Sequence, residues 1–271
     1  MNYRDYFNFK ISPFSTAPDD RFYYNSPNHS KAVTKMIHAA EERRGLAVLI
    51  GDIGTGKTTL SRKLLDYFAS KKEYKISLLV IIHSEITAHW LLKRIALQLG
   101  ADVENEDKMN LIQLVYKRLD LYNRKGKKVV VMIDEANMLK SREIMEEFRG
   151  LLNMQNENGH MMTFLMFGMP ELEVNLKLDP PLYERISIKQ FLRPLDIDST
   201  KNYINHRLAV AGRQEPLFTD QAIEIIHQYS KGKPRLINIV CDNALLEAFL
   251  EKKQFIDPEI IKQTAGDLGF T

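Results

Sequence analysis

The sequence predicts an α/β domain with a central, mainly parallel sheet, followed by a small all-helical domain. Three observations lead to this prediction. Uninterrupted apolar runs, typical of strands buried on both faces, alternate with helical patterns through the first part of the chain. After Arg193-Pro194 every pattern has helical periodicity. A glycine-rich loop joins the first apolar run to a helix, as in nucleotide-binding α/β domains.

Composition excludes several classes of protein. The 271 residues are 44% hydrophobic and 27% charged, and no apolar run approaches the roughly 18 residues that a membrane span needs. The first residues have the pattern of neither a signal peptide nor a transit peptide. The one cysteine, Cys241, excludes an internal disulfide and falls on the apolar side of a predicted helix, which favours an inert core thiol. We therefore expect a cytoplasmic protein.

Three segments are expected along the chain. Residues 1–28 are rich in aromatic side chains and prolines, which predicts an ordered, irregular arm that packs on the main domain. The α/β domain is expected at 29–194 and the helical domain at 195–271.

The charge of the chain gives little support to a nucleic-acid partner. Its formal value of +3 is too small to argue for one. Three short basic clusters, Arg43-Arg44, Lys71-Lys72 and Arg124 to Lys128, are interpreted as solvated faces.

In the α/β domain, continuous apolar residues predict strands and apolar residues at helical spacing predict helices. A helix from His29 to Arg44 is expected to end at Gly45. Another helix directly follows the glycine-rich loop. Three more are predicted at 86–99, 109–123 and 141–154, and strands at 46–50, 76–82, 129–133, 162–167 and 186–191.

In the helical domain, capping residues set the predicted boundaries. Asp198 or Ser199 is expected to cap a helix that runs through Ala211, and Thr219 to cap the next. Pro234 opens a helix that continues through Phe249, and Asp257-Pro258 opens a short final one.

The glycine-rich loop, Gly51-Asp52-Ile53-Gly54-Thr55-Gly56-Lys57-Thr58, has the spacing G-x-x-x-x-G-K-[ST] of a phosphate-binding loop. Its glycines let successive backbone N–H groups point into one concavity. Lys57 is expected to reach the β- and γ-phosphates, and the Thr58 hydroxyl to ligate Mg²⁺. The sequence thus predicts ATP and Mg²⁺ as ligands, with the nucleotide held by Gly51, Asp52, Ile53, Gly54, Thr55, Gly56, Lys57, Thr58 and Thr59.

An acidic pair, Asp134-Glu135, follows the strand predicted at 129–133. At the end of a buried strand downstream of a P-loop, this pair has the form of a Walker B element. Asp134 is expected to hold Mg²⁺ and Glu135 to polarise the attacking water. The alternative is an acidic strand end that serves only as a helix cap.

Two arginines occupy places where a guanidinium could pair with phosphate oxygens. Arg185 precedes the last predicted strand, and Arg235 lies at the start of a helix in the C-terminal domain. Either one alone is most often a surface residue.

Taken together, these residues resemble the AAA+ ATPases, and most closely the ExeA/GspA-like branch associated with bacterial secretion and pilus systems. The resemblance covers nearly the whole chain. It rests on Tyr6-Phe7, Ser12-Pro13-Phe14, Phe22 to His29, Glu41 to Gly45, Gly51 to Thr59, Ile133 to Ala136, Arg185-Ile186, Leu192 to Leu195 and Gly232 to Asn238.

The resemblance implies roles for several residues. Arg235 corresponds to the sensor 2 arginine, through which the helical lid responds to the γ-phosphate. Arg185 corresponds to the finger that is supplied in trans to a neighbouring subunit. The segment from Pro13 to His29 corresponds to the region that wraps the adenine.

Two positions depart from the pattern of these relatives. Met169 follows the strand end at Gly168, where relatives usually place a polar sensor 1 residue, and a thioether cannot donate a hydrogen bond to a water. His83 stands where relatives tend to have Asn. It either hydrogen-bonds Glu135 and holds it away from the nucleotide or is an ordinary surface histidine.

The resemblance implies an ATPase whose Mg-dependent hydrolysis is coupled to homo-oligomerisation, as a ring or filament, and to assembly or remodelling of a secretion or pilus apparatus. The alternative is an ATP-dependent DNA-binding switch or filament of the transposition target-selection type. Larger relatives continue into a membrane span and a periplasmic domain. We expect this chain, which ends at Thr271, to be a short cytoplasmic member or an ATPase fragment, held near the inner membrane through a partner.

Overall fold

The computed structural model describes residues 2–17 and 19–269, which form two compact units. Met1, Pro18, Phe270 and Thr271 lie outside the described residues. We call the two units the sheet unit and the helical unit. The sheet unit contains residues 28–53 and 57–192, and the helical unit contains residues 2–17, 19–27, 54–56 and 193–269.

Among the described residues, seven strands form a large parallel sheet and a small hairpin. In chain order they are β1 (Leu46–Gly51), β2 (Tyr74–Val80), β3 (Lys128–Asp134), β4 (Gln155–Asn156), β5 (Gly159–His160), β6 (Met162–Gly168) and β7 (Ile186–Leu192). Five of them pair in parallel in the order β2-β3-β6-β1-β7, and β4 pairs antiparallel with β5. The predicted α/β fold class is confirmed.

The parallel sheet has two edges of different character, which we name the amino edge and the carboxyl edge. Since all five strands run in one direction, Gly51, Asp134 and Gly168 end their strands at the carboxyl edge. The starts of the same strands lie together at the amino edge. In open α/β sheets ligands bind at the carboxyl ends of the strands.

Twelve α-helices lie in the described residues. In chain order they are α1 (Tyr3–Tyr6), α2 (Pro27–Glu41), α3 (Lys57–Ala69), α4 (Ala88–Gln98), α5 (Lys108–Arg124), α6 (Arg142–Leu152), α7 (Glu171–Leu176), α8 (Pro180–Tyr183), α9 (Ile197–Val210), α10 (Asp220–Ser230), α11 (Pro234–Leu250) and α12 (Pro258–Asp267). Short 3-10 turns lie at Asp20–Phe22 and Ala136–Met138. No helix among the described residues has the length and apolarity that crossing a membrane requires.

The core of the sheet unit forms two layers because successive strand residues face opposite sides of the sheet. In β1, Leu46, Val48 and Ile50 pack in a cluster with residues of α4, α5 and α6. Ala47 and Leu49 pack in a second cluster with residues of α2 and α3. Every residue of β1 is buried, which explains why this strand reads as an uninterrupted apolar run.

Several boundaries in the sheet unit differ from the prediction by one to three residues, and two of these differences have a clear cause. The first long helix ends at Glu41 rather than Arg44, because Arg43 adopts the left-handed backbone conformation (φ 49°). Strand β2 spans Tyr74–Val80 instead of 76–82. Its pairing with β3 runs from Tyr74 to Val80 and sets these bounds. Ile82, included in the predicted strand, is 82% exposed.

The helical unit packs α9 to α12 around its own apolar core. Phe7, Phe9, Phe14 and Phe22 of the aromatic N-terminal segment lie in this core. The guanidinium of Arg207 fixes the same segment by donating to the backbone O of Ser15 (2.9 Å) and to that of Pro13. The expectation that the segment packs on the α/β domain is therefore wrong, because its buried aromatic rings complete the core of the helical unit.

Helix caps in the helical unit follow the sequence with one exception. The side chain of Asp196 caps α9 by accepting from Ser199 N (2.7 Å), so the prediction of Asp198 or Ser199 as the cap is wrong. Asp196 has an extended backbone and can act as a cap, whereas Asp198 and Ser199 already lie within the first turn. Thr219, Pro234 and Asp257 occupy the predicted starts of their helices.

Cys241 is fully buried on α11, in the core of the helical unit. Burial raises the pKa of its thiol well above the usual range. The prediction of a core cysteine is confirmed.

Candidate nucleotide-binding site

The P-loop connects β1, which ends at Gly51, to α3, which begins at Lys57. Gly56, a fixed glycine of the motif, has a φ angle of 101°, and Gly54, at one of its variable positions, has a φ angle of 79°. L side chains rarely adopt such backbone conformations, so the loop depends on glycine at these positions. The peptide groups of the loop therefore turn back sharply before the helix starts, as a phosphate cradle requires.

Lys57 is the cationic group of the loop and is only 6% exposed. Its Nζ donates a hydrogen bond to the backbone O of Asp52 (3.0 Å). Burial lowers the pKa of the ammonium, while the carboxylates of Glu135, Asp134, Asp52 and Glu171 act in the opposite direction. The P-loop lysine thus lies within the field of four acidic residues at the carboxyl edge.

The predicted metal ligands differ in exposure. Asp134 is buried at the end of β3, with 3% exposure, whereas Thr58 in the first turn of α3 is exposed. Ser61 lies within hydrogen-bonding distance of the backbone O of Thr58 (3.0 Å) and of Asp134 Oδ2 (3.1 Å). One buried hydroxyl therefore links the helix that follows the P-loop to the acidic end of β3.

Glu135 adopts the left-handed conformation, with φ 55° and ψ 35°. Non-glycine residues held in this region carry backbone strain, and such residues concentrate at functional sites. Its backbone N–H donates to Asp134 Oδ1 (3.0 Å), and its half-buried side chain makes no capping hydrogen bond to the 3-10 turn that follows. The geometry gives no support to the alternative in which Glu135 is only a helix cap.

The carboxyl end of β6 carries a polar group that the sequence analysis missed. Asn137 is 3% exposed, and its Oδ1 accepts a hydrogen bond from Met169 N (2.9 Å). Its backbone O accepts from Asn175 Nδ2 (2.8 Å). The Met169 N–H therefore fixes the orientation of the Asn137 amide beside the end of β6.

His83 lies in the loop after β2, and its side chain is exposed. Within the described residues it forms no hydrogen bond with Glu135. The contacts of His83 are those of a surface histidine in this conformation.

Arg235 is the second residue of α11, in the helical unit, which also includes residues 54–56. The backbone N–H of Arg235 donates to Gly54 O (3.3 Å). A Cβ placed on Gly54 would lie 3.0 Å from the Cβ of Arg235. The preceding turn is held tightly: Leu195 N donates to Gly232 O (2.8 Å), and a Cβ on Gly232 would lie 1.9 Å from Leu195 O. Only glycine fits at position 232, where φ is also 69°.

Arg185 is exposed at the amino edge, directly before β7, and its Nη1 donates to Asn153 Oδ1. The register of β7 on β1 places Ile186 opposite Leu46 and Leu192 opposite Gly51. A strand of this length spans about 20 Å at about 3.3 Å per residue. Arg185 and the P-loop of the same chain are therefore at opposite edges of the sheet, farther apart than a side chain reaches.

Comparison with known proteins decides the family. The AAA domain family matches residues 40–176, slightly more than half of the chain. The chain belongs to this family. The General secretion pathway protein A of Aeromonas hydrophila is 32% identical over 91% of the chain, which confirms the predicted resemblance. The chain spans 45% of the length of that relative.

Solved structures show the same fold at low sequence identity. Cdc6p of Pyrobaculum aerophilum superposes with a TM-score of 0.69 at 16% identity, over 94% of this chain and 70% of that one. The ORC2 protein of Aeropyrum pernix, described in ADPNP and ADP complexes, gives a TM-score of 0.67 at 13% identity, over 95% and 72% of the two chains.

Three residues of the candidate site were not predicted from the sequence: Ser61, Asn137 and Glu171. Ser61 carried a usable signal, since it is a polar residue one turn after Lys57 among the buried positions of α3. Asn137 and Glu171 carried none. Their proximity to Met169 and Lys57 depends on the order of the strands in the sheet, which local sequence does not specify.

Proposed function

We propose that this AAA domain binds ATP with Mg²⁺ and hydrolyses it, and that the nucleotide controls its assembly with other copies of the chain. The observation that carries the proposal is the convergence of a buried P-loop lysine, Lys57, with Asp134 and Glu135 at the carboxyl edge. Phosphoryl transfer depends on positioning and on charge stabilisation, and these three groups supply the parts that both require.

The residues present fit a magnesium ion. Mg²⁺ prefers oxygen ligands and is usually bound through one or two protein groups plus substrate phosphates and water. Asp134 offers a carboxylate held in place by Ser61, and Thr58 offers an exposed hydroxyl. When bound, the ion would neutralise charge on the β- and γ-phosphates.

The protein side chains divide the work of hydrolysis. Lys57 pairs with phosphate oxygens, and Glu135 accepts a proton from the attacking water as the general base. The strained backbone of Glu135 directs its half-buried carboxylate from the end of β3. Asn137, held by Met169 N, supplies the amide that the methionine side chain lacks, and we assign it the role of polar sensor at the end of β6.

Assembly follows from the position of the arginines. Arg185 lies at the amino edge and cannot reach the P-loop of its own chain, which supports a role in a neighbouring subunit. Arg235 groups with Gly54 through its backbone hydrogen bond, which supports a role in its own subunit. The segment 13–29 retains its proposed role beside the adenine.

The similarity to the General secretion pathway protein A suggests the cellular process in which the ATPase acts. Because the General secretion pathway protein A is similar to this chain over 91% of its length, we propose that the ATPase assembles or remodels a secretion or pilus apparatus on the cytoplasmic side of a membrane. Sedimentation velocity tests the assembly step. We expect larger species with a non-hydrolysable ATP analogue than with ADP, and equal sedimentation in both nucleotides would contradict the proposal.

A second candidate function is an ATP-dependent DNA-binding switch or filament. It is favoured by the basic residues that precede the parallel strands β1, β2 and β3 and therefore lie together at the amino edge. A gel shift of duplex DNA, run with and without ATP at two salt concentrations, separates the two candidates. Tighter retention of DNA with ATP than without it would favour the switch over the secretion role.

A further inference from the structure

The three basic clusters, which the sequence analysis interpreted as solvated faces, converge on one edge of the sheet. The cluster before β1 contains Arg43 and Arg44, the cluster before β2 contains Lys71 and Lys72, and the cluster before β3 runs from Arg124 to Lys128. Since these strands are parallel, their starts all lie at the amino edge, opposite the P-loop. We call the stretches 41–45, 70–75 and 120–128 the basic edge.

Hydrogen bonds join the three stretches into one surface. Arg43 donates through Nη1 to Asn123 Oδ1 and through Nη2 to the backbone O of Lys127 (3.2 Å). The backbone N–H of Lys128 donates to Glu73 O (2.8 Å). The backbones of the three stretches are therefore held beside one another within the sheet unit.

The basic edge concentrates the charge of the chain. Its stretches contain four acidic residues and nine basic ones, the latter being Arg43, Arg44, Lys71, Lys72, Lys75, Arg124, Lys125, Lys127 and Lys128. The excess of five exceeds the formal charge of +3 of the entire chain. The remainder of the protein is net negative, so the modest overall charge conceals a strongly positive edge.

Few of these cations are neutralised by a carboxylate of the described residues. In the part of the chain that the structure describes, only Arg124 of the nine forms an ion pair, with Asp120 (2.9 Å). Lys71, Lys75 and Lys128 lie over tyrosine rings. Four others make no side-chain hydrogen bond, ion pair or ring contact: Arg44, Lys72, Lys125 and Lys127.

Helix dipoles do not account for the cluster. Helices α2, α3 and α5 end at the amino edge, and cations stabilise helix C-termini within the last turn. The last turns contain only His38 in α2, Arg124 in α5 and no basic residue in α3. The remaining cations lie in the loops beyond the helices, where the dipole effect falls off.

We propose that the basic edge binds the phosphate backbone of a nucleic-acid duplex. The starts of β2, β3, β6 and β1 span about 14 Å at the usual strand spacing. This width matches the major groove of a duplex, about 12 Å, so the cations can reach phosphates on both strands that border it. Such binding requires cations but no base-specific contacts.

The composition of the edge favours a duplex over a lipid surface. Membrane-binding surfaces combine basic residues with apolar side chains that insert among the lipids. Within the three stretches, all of which the structure describes, Leu121 is the one exposed large apolar side chain, with 37% exposure. Nucleic-acid binding at this edge goes beyond ATP hydrolysis, and the cations that carry it belong to neither the P-loop nor the acidic pair.

The test is fluorescence anisotropy with a labelled DNA duplex, the full chain and no nucleotide, over about 50 to about 200 mM salt. The edge variant replaces Lys72, Lys125 and Lys127 with Gln. A matched control replaces three exposed lysines elsewhere, Lys31, Lys117 and Lys262, with Gln and so removes the same charge. A charge-conserving variant replaces Lys72, Lys125 and Lys127 with Arg and shows whether the positions tolerate substitution.

We expect the edge variant to bind the duplex at least about tenfold more weakly than the parent at low salt, with a salt slope shallower by about 2.7. The control and the charge-conserving variant should bind like the parent. Equal binding by parent and edge variant, or an equal loss in the control, would overturn the proposal. So would edge-dependent binding to phosphatidylglycerol vesicles by a parent that does not bind the duplex.

The same proteins distinguish this inference from the proposed ATPase function. ATP titrations of the edge variant should match those of the parent. If the duplex-binding proposal fails while ATP binding is intact, the ATPase assignment is unaffected. If the parent does not bind ATP, the result with DNA is unaffected.

Discussion

Ser61 Oγ lies 3.1 Å from Asp134 Oδ2 and 3.0 Å from the backbone O of Thr58. A hydroxyl has one proton, so Ser61 shares it between the helix that follows the P-loop and the acid proposed to hold Mg²⁺. Groups that orient a metal-binding carboxylate affect metal affinity without touching the ion. Ser61 is therefore a positioning residue in the proposed site.

Ser61→Ala should raise the Mg²⁺ concentration needed for half-maximal ATP hydrolysis by about tenfold, because Asp134 loses its orienting donor. Ser70→Ala is the matched control, since Ser70 donates only to Tyr67 O (2.8 Å) just beyond the same helix. Magnesium titrations of the two variants provide the measurement. Identical Mg²⁺ dependence in Ser61→Ala and the parent would remove Ser61 from the site.

Glu135→Gln should bind ATP but hydrolyse it far more slowly and so accumulate the assembled state, because the carboxamide keeps the shape of the side chain and lacks the base. Glu171→Gln is a control for charge alone, as Glu171 also lies in the field of Lys57. Phosphate release and sedimentation of both variants are measured together. Glu135 has no part in the chemistry if its variant turns over like the parent.

Arg185→Ala should leave ATP binding nearly intact and lower turnover by about 10³-fold, the scale of arginine fingers. Mixing tests whether the arginine acts in trans. Arg185→Ala and Lys57→Ala are each expected to be inactive, yet a mixed oligomer combines an intact P-loop with a neighbour's Arg185, so activity should partly return.

Arg235→Ala mixed with Lys57→Ala should show no such rescue, because both substitutions affect the same nucleotide site. A mixture of Arg185→Ala and Lys57→Ala that co-assembles but stays inactive would contradict the trans role. Full turnover by a dilute monomer would do the same.

Asp196→Ala should lower the free energy of unfolding by about 1 kcal/mol at neutral pH, because α9 loses its N-cap. The hydrogen bond from Ser199 N holds the pKa of the Asp196 carboxyl below its usual range. Its contribution is therefore present above the unfolded pKa, near 4, and is lost as the pH falls through the folded pKa. Urea unfolding of parent and variant at several pH values measures this difference.

Asp196→Asn serves as the control because Asn also caps helices but does not titrate. We expect its stability difference from Asp196→Ala to stay constant while that of the parent shrinks in acid. A parent whose advantage over Asp196→Ala grows as the pH falls would contradict the assigned cap.

The sequence could predict what depends on local pattern. Lys57 and Asp134 were proposed as site residues because each lies at or after the end of a buried strand within a motif. Thr219 was predicted as a cap because it precedes an apolar helical pattern, and it caps its helix. Packing between residues that are distant in sequence could not be predicted from local pattern. The core position of Phe7 depends on contacts with residues from the other end of the chain.

The end of β2 shows the same limit at a single boundary. Ile82 continues the apolar run, but the register with β3 ends at Val80 opposite Asp134. The basic edge also could not be predicted from local pattern. Arg43, Lys72 and Lys127 are far apart in sequence, and only the strand order brings their clusters together.

Isothermal titration calorimetry of ATP with Mg²⁺ against the parent and Lys57→Ala tests the central claim most directly. Lys63→Ala, an exposed lysine on the same helix, is the control for removal of a charge. We predict that the parent and Lys63→Ala bind ATP alike, whereas Lys57→Ala loses measurable binding because the phosphates lose the cation of the loop. Binding of ATP to Lys57→Ala with the affinity of the parent would contradict the account.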